Sequence, residues 1–64
     1  MNEEFITEIF NKLRDKELNE YRVSKDQFLA FRKVLVERSD FKHFRGIALH
    51  GGEVIYTYQD EARS

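Results

Sequence analysis

The chain has 64 residues, a formal net charge of −1, and neither cysteine nor proline. That length makes one domain, which at this size buries only about 60% of the surface its unfolded chain exposes. The lack of cysteine excludes disulfides and thiolate metal sites. Charged residues at 36% and apolar residues at 41% suit a globular rather than a disordered chain. No apolar run approaches the roughly 18 residues of a membrane span, and the start, MNEEF, is acidic where a signal peptide is basic. The expectation is a soluble, cytoplasmic protein of a size that suits a bacterial or phage accessory protein.

The first helix is predicted over residues 3–17. Asn2 is a suitable N-cap, and Glu3 and Glu4 suit the positive end of the helix dipole. Phe5, Ile6, Ile9, Phe10 and Leu13 fall within an arc of about 140°, a single core-facing stripe. Residues 18–23, LNEYRV, read as a connection, with Leu18 and Tyr21 packed beneath it.

A second helix is predicted over residues 24–38. Ser24 with Gln27 three residues on makes a capping box, and Val23 with Phe28 has the spacing of a hydrophobic staple. Its apolar residues Phe28, Leu29, Phe31, Val34, Leu35 and Val36 cover about 220° of the helix, with Arg32 inside the arc. One packed layer needs little more than about 100°. Leu29 and Val36 therefore form a second apolar edge.

After a connection over 39–43 comes a predicted hairpin, strands 44–50 and 53–58 about a Gly51-Gly52 turn. A two-residue turn pairs His50 with Glu53, Leu49 with Val54 and Ile47 with Tyr56. It puts Leu49, Ile47 and Arg45 on the core face with Val54, Tyr56 and Tyr58. The tail, QDEARS, is polar and expected to fray. The predicted fold is α+β, in the order ααββ: two N-terminal helices packed on one face of a two-stranded antiparallel hairpin.

Chemistry-bearing motifs are scarce. His50 and Glu53 read as a cross-strand polar pair. His43 lies at the other end of the strand, roughly 23 Å away by strand length, too far for a shared metal site. Gly51-Gly52 is followed by a strand rather than a helix, so it is no phosphate loop. Ser24 and Ser39 stand in no triad motif. The chain is expected to have no catalytic residue, metal, cofactor or small-molecule substrate.

What remains is surface. Leu29, Arg32 and Val36 are the expected contacts to another protein chain, with Phe41 or Phe44 at the edge of that patch. This makes a small, non-catalytic protein-binding module, a regulator or inhibitor acting by occupying a partner's surface, or a homodimer. The alternative comes from charge. Residues 22–45 carry +4 between acidic ends of −3 and −2. Arg22, Lys25, Lys33, Arg38, Lys42 and Arg45 would form a nucleic-acid surface of the winged-helix type, a helix followed by a basic hairpin.

Overall fold

The computed structural model describes residues 2–62. Helix α1 spans Glu3–Arg14. Asn2 caps it as expected, its Oδ1 accepting the Phe5 N–H at 2.8 Å. The helix stops three residues before the predicted end, because Lys16 adopts φ 67°. The Glu17 N–H then donates to the Lys12 carbonyl at 2.9 Å and the Lys16 N–H to the Leu13 carbonyl at 3.2 Å. This is a Schellman closure, built here on lysine where glycine is usual. A left-handed lysine costs roughly 1 kcal/mol. Its side chain has compensating contacts: Nζ lies 3.1 Å from Asp60 and 5.0 Å above the Tyr58 ring.

Strand β1, Tyr21–Val23, lies where the sequence reads as a connection. The sheet therefore has three strands, not two. Strands β2, Phe44–Ala48, and β3, Val54–Tyr58, follow later, and the order across the sheet is β1-β3-β2. Tyr21 stands opposite Tyr56, and Val23 opposite Val54, all antiparallel. A two-stranded sheet alone is marginal, and β1 gives β3 its second neighbour. Val23 is wholly buried.

Helix α2, Phe28–Val36, is shorter than predicted and follows a 3₁₀ turn over Lys25–Gln27. The capping box does not form. The Gln27 N–H, which the Ser24 hydroxyl was expected to take, donates instead to the Ser24 carbonyl at 3.0 Å. Ser24 makes no side-chain cap bond. The buried face of α2 is Phe31, Val34 and Leu35, with Phe28 half-buried beside it.

The hairpin register also differs from the prediction. Ala48 faces Val54, Ile47 faces Ile55 and Phe44 faces Tyr58. The Leu49 N–H donates to the Glu53 carbonyl at 2.7 Å. The loop is thus His50-Gly51-Gly52, three residues, with both glycines at φ 88°. His50 and Glu53 are not a cross-strand pair. The one-residue slip leaves β3 facing as predicted but turns β2 over. Its cause is the choice between Phe44 and Arg45. The predicted register drives Arg45 into the core, where a lone guanidinium is costly. The observed one buries Phe44 and sends Arg45 and Ile47 to the outer face.

The core lies between the helices and the inner sheet face: Ile6, Ile9, Phe10 and Leu13 from α1, Phe31, Val34 and Leu35 from α2, and Val23, Phe44 and Tyr56 from the sheet. Phe5, at the margin of the predicted stripe and in the first turn, is 42% exposed.

The two caps separate cleanly by mutation. Asn2→Ala should lower stability by about 1 kcal/mol, because a bonded cap is lost. Ser24→Ala should stay within about 0.5 kcal/mol, because no cap bond exists there. Urea melts of the two variants measure both.

Candidate functional site

Helix α2 turns its buried face to the core and leaves the opposite side open. Leu29 and Val36 are 75% and 52% exposed, and Arg32 between them is exposed too. They lie seven residues apart, two turns along one edge. Burial pushes the Tyr56 phenol pKa up, and the charge of Arg32 opposes that push. The five predicted interface residues thus divide. Leu29, Arg32 and Val36 stand together at the surface. Phe41 is half-buried against the core. Phe44 is 1% exposed, its ring edge-on to Phe10 and Tyr58, and has no surface to offer a partner.

The six residues of the basic band do not share a face. Arg22 stands opposite Ile55 and Arg45 opposite Thr57, so both lie on the outer sheet face, away from the helices. The Arg22 guanidinium is held by Glu53 at 2.6 Å. Lys25 lies with its stem against the Gly52 turn. Lys33 is exposed on α2, in the other layer, and Lys42 is exposed on the 3₁₀ turn Phe41–His43.

Arg38 belongs to the interior. Its side chain is 13% exposed and forms a two-pronged pair with Asp40, 2.8 Å from Nε to Oδ1 and 3.2 Å from Nη2 to Oδ2. The guanidinium lies 5.8 Å from the Phe10 ring centre and 5.4 Å from that of Phe44. It closes one end of the core as an ion pair laid over aromatic rings. Beside it, His43 stacks on Tyr58 at 5.3 Å and its Nδ1 donates to the Gln59 carbonyl at 2.9 Å. The Gln59 N–H returns a bond to the His43 carbonyl at 2.8 Å. The start of the tail, expected to fray, is therefore tied at Gln59 and Asp60, while Arg63 and Ser64 lie outside the described residues.

No group of three histidine or carboxylate side chains stands close enough to hold a metal among the described residues. An open depression of about 370 Å³ lies over Glu3, Glu4, Thr7 and Glu8, all from one side of α1. No described helix is long and apolar enough to cross a membrane.

The family described as YkzS-like protein matches residues 3–57, from the start of α1 into β3. The chain belongs to the YkzS-like family. No curated protein matches it. No solved structure matches it either. In this YkzS-like chain the exposed edge of α2 is the feature that sequence reasoning located. The open edge of β2, at Gly46 to Ala48, is the one it missed. The signal for it was Arg45, whose charge forbids the core-facing register.

The hydrogen bonds from Arg38 hold Asp40 below the usual carboxylate range, and partial burial works against them. A depressed carboxylate adds stability that is complete above its unfolded pKa of about 3.9 and is lost as pH falls through the folded value. Asp40→Asn should therefore be less stable than the wild type at neutral pH, and the gap should close in acid, below about pH 4. Arg38→Ala should cost about 1.5–3 kcal/mol, against about 0.5 or less for the exposed Lys33→Ala. Urea melts across a pH series measure all three variants.

Proposed function

We propose that this chain is a small, non-catalytic protein-binding module, a regulator or inhibitor that acts by covering a partner's surface. The observation that carries the reading is the exposed edge of α2. A leucine and a valine, two turns apart, stand in solvent on a helix whose core contacts are complete without them. Leu29 and Val36 supply apolar area, and Arg32 between them supplies a charge that can meet a partner carboxylate. An arginine set among apolar residues is a common composition for the centre of a protein interface. Phe41, half-buried near the core, would stand at the margin and not at the centre.

The nucleic-acid alternative has less behind it. Arg38 is engaged with Asp40 and Arg22 with Glu53, and Arg45 and Lys33 lie in opposite layers. A duplex-binding surface needs its cations on one side.

Leu29→Ser combined with Val36→Ser should remove binding to the partner and leave stability within about 1 kcal/mol of wild type, since both positions are open. Capture from host extract, compared between wild type and this variant, with urea melts of each, measures both effects. A double variant that simply unfolds would assign the two residues to the core and sink the reading. Binding that falls steeply with salt, and is lost in Lys33→Glu with Arg45→Glu while surviving the serine pair, would favour nucleic acid instead.

A further inference from the structure

We propose that the free edge of β2 pairs with β2 of a second copy of this chain, antiparallel, about a two-fold axis at Ile47. The hydrogen bonds of the sheet fix which groups are free. Leu49 faces Glu53 and bonds to it, N–H to carbonyl, at 2.7 Å, and the Gln59 N–H bonds to the facing His43 carbonyl at 2.8 Å. Bonded and non-bonded pairs alternate along an antiparallel ladder. Residues 43, 45, 47 and 49 therefore face β3, and residues 44, 46 and 48 turn N–H and carbonyl to the outer edge. The Phe44 N–H is already given to the Phe41 carbonyl. Gly46 and Ala48 remain. Both are exposed, and neither N–H has a backbone partner outside the ladder among the described residues. Because β3 is the middle strand, no other strand among the described residues pairs with this edge.

Self-pairing has few registers, and the side chains choose among them. An axis at Arg45 sets two guanidinium groups directly opposite, which is unfavourable. An axis at Gly46 calls on the Phe44 N–H, which is taken. An axis at Ile47 pairs Gly46 of each copy with Ala48 of the other and uses only the free groups. It sets Ile47 against Ile47 in the close, non-bonded position and moves the two Arg45 residues far apart, each opposite Leu49. Arg22, Ile55 and Ile47 already form one row across the outer face. The pairing continues that row through the axis, so four isoleucines meet side by side and Ile47, 42% exposed alone, is covered. On the inner face the positions nearest the axis are glycine and alanine, which present no bulk. A foreign strand would have to bring this complement, whereas the chain carries its own. Natural edges are usually blunted by lysine, proline or a bulge, and here only Arg45 does so, from the outer face.

The chain has no cysteine, so an introduced thiol is unique. Facing Cα atoms in a non-bonded pair lie about 4.5 Å apart, within disulfide range. Ile47→Cys should oxidise to a covalent dimer, and Arg45→Cys should not. Sedimentation of the wild type over a concentration series should give twice the 7.7 kDa monomer mass. Ile47→Lys, which sets two ammonium groups opposite, should weaken association by about tenfold or more with an unchanged circular dichroism spectrum. Amide exchange of the wild type should show Gly46 and Ala48 protected when concentrated and open on dilution. The proposal is overturned by a wild type that stays monomeric throughout, or by a dimer whose Gly46 and Ala48 amides still exchange freely. It is equally overturned by a dimer that survives Ile47→Lys and separates in the Leu29→Ser, Val36→Ser variant, which would place self-association on α2.

Discussion

The ring of Phe10 meets three other rings edge-on: Phe31 at 5.8 Å, Phe44 at 5.0 Å and Tyr56 at 5.5 Å. Those contacts join α1 to α2, to β2 and to β3 through one side chain. Edge-to-face pairs of this kind contribute about 0.5–1.5 kcal/mol each beyond the area they bury. Phe31 in turn stacks on Tyr21 at 5.7 Å, which brings β1 into the same cluster. A chain without cysteine has no disulfide to tie its five short elements together. The demand that Phe44 reach Phe10 also explains why β2 turns over, and so why Ile47 faces water.

Much of this was legible in the residues. Helix α1 shows its cap and its stripe, because both are local. The positive φ at Lys16 was not legible, since lysine carries no bias toward that region and the contacts that hold it come from Tyr58 and Asp60, more than forty positions away. Strand β1 was hidden for a related reason. Three residues, Tyr21-Arg22-Val23, are too few for a period to be read, and only the presence of β3 makes them a strand. The Ser24–Gln27 signature matched the capping box letter for letter, yet the 3₁₀ turn satisfies the same N–H by another route. The apolar excess of α2, by contrast, pointed to an edge at Leu29 and Val36 that the fold indeed leaves exposed.

The cations show how a run in sequence dissolves in space. Alternation along a strand sends Arg22 and Arg45 to one side of the sheet, the helix carries Lys33 to the other layer, and the turn after α2 folds Arg38 inward over two aromatic rings. Charge counted along the chain is a statement about composition. The surface potential depends on which face each element turns to water. In this chain the α2 edge and the β2 edge belong to different layers, so occupying one leaves the other open.

Strand β3 follows both of its neighbours in the chain and lies between them in the sheet. Neither edge strand has a partner until it arrives. During synthesis, then, Tyr21–Val23 and Phe44–Ala48 leave the ribosome with their backbone groups unpaired, and Val23 and Phe44 have no sheet to sit in. The helices can form as they emerge, but the layer they cover cannot. Pairing Tyr21 with Tyr56 must close a long stretch of chain before any contact rewards it, a topology that slows folding. The sheet, and the core face it carries, cannot close before Val54–Tyr58 is available to both of its neighbours.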